Sequence, residues 1–198
     1  MLNVLLDGFP KDYKGYKINT SYKVGILLTL LTEDETIDED LKFMQAFNLL
    51  YIDTIDDFQV AYDGLMWFLS CGKSELHFDK EPNDDKNTDK CIDFDLDSMD
   101  IWAAFYVKGI DLSKVDLHWF AFTHLLGNMN DTILSQKMQF RSTDLSKMKG
   151  DTRKYYAELK EKYKIRKVLT KEEYEEKMRK LSENNGSYYM KLRELNKR

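Results

Sequence analysis

Apolar side chains recur at three- and four-residue steps over most of this chain, the spacing of amphipathic helices rather than strands. In NTSYKVGILLTLLTED, Thr20 or Ser21 can cap a helix whose apolar positions include Tyr22, Leu27, Leu28 and Leu31. TIDEDLKFMQAFNLLY opens with Thr36-x-x-Glu39, a capping-box pattern, and sets Leu41, Met44, Phe47, Leu50 and Tyr51 on an inward face. In DTIDDFQVAYDGLMWFLSCG, Phe58, Ala61, Tyr62, Leu65, Phe68 and Leu69 predict a third helix with Gly72 as its stop. The polar, acidic KSELHFDKEPNDDKNTDK then reads as a long loop over about 73–90.

Beyond that loop the period changes. Ile92, Phe94 and Leu96 alternate with aspartates, which predicts a short strand feeding a helix capped near Asp97 or Ser98. DLHWFAFTHLLG is apolar nearly all round and predicts a central buried helix. DTILSQKMQFRSTDLSKMK predicts another helix ending near Arg141. Ser142, Thr143 and Asp144 cap its junction with the next, and Arg141 can anchor that junction by pairing with a carboxylate. The first 19 residues read as extended, with DYKGYKIN as a small hairpin about Gly15. From Asp151 the apolar positions narrow to stripes among charges, Tyr156/Leu159/Tyr163 and Tyr174/Met178/Leu181. The second stripe opens with the capping-box pattern Thr170-x-x-Glu173. The predicted fold is mainly α: a compact multi-helix body over 1–148 with a small N-terminal β-hairpin, then a charged helical arm over 149–198.

Composition agrees with that class. The 198 residues are 42% hydrophobic and 13% aromatic, enough for one good-sized core, and two prolines punctuate too little for an all-β chain. Charge adds an asymmetry. Residues 1–146 hold 13 Lys+Arg against 26 Asp+Glu, whereas 147–198 hold 17 against 9. An acidic body with a basic tail suits self-association, a charged partner, or a plain solvated helix. Cys71 and Cys91 have neither CxxC nor zinc-finger spacing, and whether they pair is open. The start MLNVLLDGFPKDY lacks the basic region of a secretory signal, and VGILLTLL is too short to span a bilayer, so a soluble intracellular protein is expected.

Candidate chemistry is sparse. His118 and His124 lie six apart and would project about 120° from one another on a helix, so they cannot share a metal as i, i+4 ligands do. They are expected to be satisfied core or interface histidines; His77 has no ligand set beside it. Asp93, Asp95 and Asp97 mimic the first calcium ligands of an EF-hand loop. Ser98 and Ala104 stand where that loop needs its glycine and bidentate glutamate, so a strand with a solvated face is the better reading. Gly72-Lys73-Ser74 resembles the end of a phosphate loop, but Trp67 occupies the partner glycine position. The hydroxyls of RSTDLSK have no activating base. Lysines of the arm alternate with glutamates, which disfavours nucleic acid. No catalytic, cofactor or metal residues are predicted, and the chain reads as a non-enzyme.

Four segments taken in order point further: MLNVLLDGFPKDYKGYKINTSY, GLMWFLSCGK, DIWAAFYVKGIDLSKVDLHWFAFTHLL and KMQFRSTDLSKMKGDTRKYYAELKEKY. Their order and character resemble the gene-product-fifteen family of long-tailed phages and prophages of Gram-positive bacteria, from residue 1 to about 164. The resemblance implies a tail assembly protein, encoded beside the tape-measure gene and regarded as a tail assembly chaperone in virion morphogenesis. It implies the tape-measure and tail tube proteins as partners, the host cytoplasm as the place of action, and no catalytic residues. The chain beyond Ile165 extends past the family's usual end.

Nine methionines and twelve tyrosines suit permissive helix-in-groove contacts. Met44, Met66 and Met138 are expected in the core. Tyr155, Tyr156, Tyr174, Met178, Tyr188 and Tyr189 lie on narrow stripes of the arm and are the expected partner or self-association residues. The alternatives are a minor structural tail protein retained in the virion, or a nucleic-acid-binding phage protein.

Overall fold

Two adjacent residues at positive φ, Lys14 at 50° and Gly15 at 89°, turn the chain between β1 (Asp12–Tyr13) and β2 (Tyr16–Lys17) in the computed structural model. Two left-handed positions in succession are what a two-residue hairpin needs to match strand twist, and Gly15 supplies one without steric cost. The strands pair antiparallel with Tyr13 opposite Tyr16. The expected hairpin is present. The structure describes residues 3–73, 90–165 and 179. Ahead of the hairpin the chain is not extended as expected. Asn3 accepts from the backbone of Leu5 at 3.1 Å and starts one helical turn, α1 (Val4–Asp7), while Asp7 accepts from the Asn3 backbone.

Seven longer helices follow: α2 (Tyr22–Glu33), α3 (Glu39–Leu50), α4 (Phe58–Leu69), α5 (Ser98–Tyr106), α6 (Trp119–Gly127), α7 (Ile133–Ser142) and α8 (Gly150–Tyr163). Among the described residues the fold is therefore mainly α with one small antiparallel hairpin, as the periodicity predicts. Short side chains set most of the starts. Ser21, Asp38, Asp57 and Thr132 each accept a backbone N–H of the first turn of α2, α3, α4 and α7. Thr36 is not the cap of α3; it folds back on Asp34, leaving Asp38, adjacent to the helix, to take that role.

The core is aromatic. Phe68, Phe105, Phe120 and Phe122 are fully buried with Leu28, Leu50 and Leu134. Phe122 stacks on Phe105 at 5.1 Å and on Tyr22 at 4.9 Å, so α6 packs into the core through Trp119, Phe120, Phe122 and Leu126. It is not buried all round as expected: His124 and Leu125 face outward at its C-terminal half. α2 and α6 approach closely at Gly25, where an added Cβ would lie 2.1 Å from the Trp119 ring. Backbone contacts tie their starts together: Tyr22 N donates to Leu117 O, and Trp119 N to Thr20 O.

Several faces are turned from their expected setting. On α3 the buried positions are Lys42, Ala46 and Leu50, at four-residue steps, while Leu41 and Met44 are exposed. Met66, Leu27 and Phe58 are exposed as well; Met138 packs on the core. The expected strand over Ile92–Leu96 is a turn. The Asp93 carboxylate accepts from the backbone of Asp95 and Leu96, a local bond that competes with any ladder.

The first compact unit runs from Met1 to Lys164 and takes in α8, the start of the arm expected over 149–198. α8 lies against α7: Phe140 stacks on Tyr163 at 5.6 Å and meets Tyr156 at 6.4 Å. Ile165–Arg198 forms a second unit. The Thr170–Glu173 capping box, the stripe that follows it and the loop residues 74–89 lie outside the described residues.

Candidate functional site

Among the described residues, His118 and His124 supply the imidazoles. His118 is the N-cap of α6 rather than a residue inside it. Its Nδ1 accepts from the Phe120 backbone at 3.1 Å, which leaves the proton on Nε2 to be donated to the Pro10 carbonyl at 2.9 Å. Phe9 stacks on the ring at 4.8 Å. Burial lowers the pKa of His118, and the Pro10 hydrogen bond only partly offsets that. The ring is a satisfied structural joint between the N-terminal segment and α6.

His124 lies at the other end of α6, in a concavity of about 440 Å³ lined by Leu69, Ser70, Cys71, Lys73 and Thr123. The contents invite a test for cysteine chemistry. Burial pushes the Cys71 thiol up despite a 3.0 Å contact with Thr123 Oγ1 and the nearby Lys73 charge. A nucleophile needs thiolate and a base within hydrogen-bond reach. The His124 ring bonds neither the thiol nor a carboxylate among the described residues. Cys71 and Cys91 are both free thiols. No group of three metal-ligating side chains converges among the described residues, and no helix there is long and apolar enough to cross a membrane.

The strongest polar constellation is Arg141. Its guanidinium grips Asp97 with two bonds, 2.6 and 2.9 Å, and also donates to Cys91 O at 3.1 Å and Tyr163 O at 2.6 Å. This is the carboxylate pairing expected of Arg141, and it joins the ends of α7 and α8 to the start of α5. Asp97 consequently gives no capping bond to its own helix. Ser142 and Thr143 donate to carbonyls of the last turn of α7, and Asp144 accepts from Ser146 N, so all three residues serve the junction.

What remains is surface. Phe58 meets Phe47 at 5.6 Å and Phe43 at 6.1 Å, forming an aromatic ridge across α3 and α4. Beside it, Met44, Phe47, Asn48, Tyr51, Ile52 and Asp53 line a concavity of about 330 Å³. Met44, Ile52 and Phe58 are 55, 67 and 59% exposed, large values for apolar side chains grouped on one face. Of the six expected partner residues, Tyr155 is exposed on α8, whereas Tyr156 is half-buried against Phe140. Tyr174, Met178, Tyr188 and Tyr189 lie outside the described residues. Helical spacing alone sets Leu41, Met44 and Phe58 inward, whereas all three are exposed on the α3–α4 face. One signal was available: Leu41, Phe43, Met44, Ala46, Phe47, Leu49 and Leu50 exceed what one buried stripe can absorb.

No curated protein and no solved structure matches the chain. A family model does, over residues 5–165, described as Bacteriophage Gp15 protein; the match runs from α1 to just past the end of α8. The chain belongs to the Bacteriophage Gp15 protein family.

Proposed function

We propose that this phage protein is a non-enzymatic tail assembly chaperone that acts in the host cytoplasm, shielding the tape-measure protein and helping to recruit tail tube subunits. A tape measure is a long helical chain whose apolar stripes aggregate until tube subunits cover them. A protein that holds such stripes needs apolar side chains outside its own core, on a scaffold stable without the client. The observation that carries this reading is the exposed group Met44 on α3, Phe58 on α4 and Ile52 in the link between these two packed helices. Met adapts to varied partners through its flexible thioether, and an aromatic ridge supplies contact area at low entropic cost. Family membership supports the phage setting.

Co-expression tests it. With this chain present, the tape-measure protein is expected in the soluble fraction and to co-purify; without it, in the pellet. Mass spectrometry of purified virions is expected to find the chain absent. A tape measure equally insoluble in both cases overturns the reading, and a stoichiometric presence in virions makes the chain a minor structural tail component instead.

A further inference from the structure

We infer that the α3–α4 face docks an amphipathic helix carrying lysines or arginines on both flanks of an apolar stripe. The proposal rests on the chaperone reading only for the identity of the natural partner; the chemistry of the groove stands by itself.

Charge selects the occupant. Residues 34–63, which build this face, hold nine acidic side chains and a single lysine. That lysine, Lys42, is buried and spends its charge on Glu39 at 2.7 Å. Asp38 and Asp40 stand at one end of α3, and Asp53, Asp56 and Asp57 at the other, all exposed. Asp38, Asp53 and Asp57 bind backbone N–H groups, which orients them but leaves the negative charge. None of the five makes an ion pair among the described residues. An apolar groove with a carboxylate at each end repels an acidic partner and attracts a basic one.

Shape selects a helix. The 12 residues of α3 extend about 18 Å, which accommodates roughly three turns of a helix laid alongside. Exposed Met44 and Ile52 line the concavity together with half-buried Phe47, whose ring meets exposed Phe58 of α4 at 5.6 Å. Apolar anchors at i, i+3 or i+4 and i+7 fit such a trough, and the flanking cations of the incoming helix fall beside the rim carboxylates.

The test uses the full chain and two synthetic helical peptides with identical leucines at i, i+3, i+4 and i+7. One carries lysines on the flanks and the other glutamates. Fluorescence anisotropy is expected to show at least about tenfold tighter binding of the basic peptide, weakening as salt rises. Met44→Glu and Asp56→Lys, both at exposed positions, are each expected to weaken it about tenfold while leaving circular dichroism and the urea midpoint near those of the parent. Equal affinity for the two peptides overturns the proposal, as does binding that survives Met44→Glu but is lost in Tyr155→Ser on α8. A parent dimer that Met44→Glu dissociates means that a second copy covers the face, and also overturns it. A tape measure that fails to co-purify while the basic peptide binds as expected refutes the chaperone reading and leaves this groove standing.

Discussion

Arg141 shows how much one side chain can organise. The Arg141 and Asp97 side chains are only 8 and 3% exposed, so neither charge is relieved by water when its partner is removed. Breaking a buried pair from one side costs about 3–5 kcal/mol, because the remaining ion is left unpaired. Arg141→Ala is therefore expected to lose about that much in urea unfolding, and hydrogen exchange should quicken in the last turn of α8, whose Tyr163 carbonyl loses its donor. Arg141→Lys should rescue little, since an ammonium cannot reproduce the two-pronged grip on Asp97 or the Nε bond. His118 acts at the same scale but on protons. Its folded pKa lies below the unfolded value, so on acidification the unfolded chain takes up the proton first. The stabilisation is present above about pH 6.5 and is lost as pH falls toward the folded pKa. Urea midpoints at pH 7.5 and 5 should show the parent losing more stability than His118→Asn, which keeps a capping acceptor that does not titrate in that range.

Elements meet through particular close approaches, and Gly25 is the sharpest. A methyl group there would overlap the buried Trp119 ring, and neither the α2 backbone nor the indole has free space to yield. Gly25→Ala is expected to cost about 3 kcal/mol, seen as a lower urea midpoint at unchanged slope. The helices themselves were readable beforehand because their signals are local: a short capping side chain, then apolar residues at helical steps. Such signals narrow the α2 cap to Thr20 or Ser21, of which Ser21 serves, and they place the hairpin turn at Gly15 and the α4 stop at Gly72, three residues past the last helical residue, Leu69. Where expectation failed, a local bond or a surplus was responsible. Asp93 can satisfy two backbone N–H groups by itself, and this turns an alternating strand-like pattern into a turn. α3 has apolar residues around most of its circumference, so periodicity could not say which face goes inward. Packing chose the Ala46 side, where a small residue lets the helix approach, and left Met44 outside. The crossing at Gly25 needed a partner 94 residues away and could not be read from one helix.

At the scale of the whole molecule, the same residues that suit a basic partner work against the folded state. The charge asymmetry is visible in the sequence, where it suits self-association, a charged partner or a solvated helix alike; the α3–α4 face is not, because exposure depends on how α3 and α4 pack on the rest. Of the nine carboxylates over residues 34–63, Glu39 is paired with Lys42 and Asp63 with Lys14, while the exposed Asp38, Asp40, Asp53, Asp56 and Asp57 place like charges at the two ends of α3 in the folded protein, and their repulsion is relaxed on unfolding. Such a patch persists where a bound partner repays the cost, the ordinary trade between stability and function. Two measurements then move in opposite directions. Asp56 is exposed and forms no ion pair among the described residues, so Asp56→Asn should raise stability slightly, by about 0.5 kcal/mol at low salt, with the gain shrinking as added salt screens the repulsion. The same substitution should weaken the basic helical peptide. A surface aspartate of purely local importance would leave binding untouched, and one whose loss lowered both stability and affinity would be a structural residue of the α4 entry rather than part of a docking rim. Opposed signs in urea unfolding and peptide anisotropy, both fading with salt, are the signature that separates a charged docking face from an incidental excess of acid.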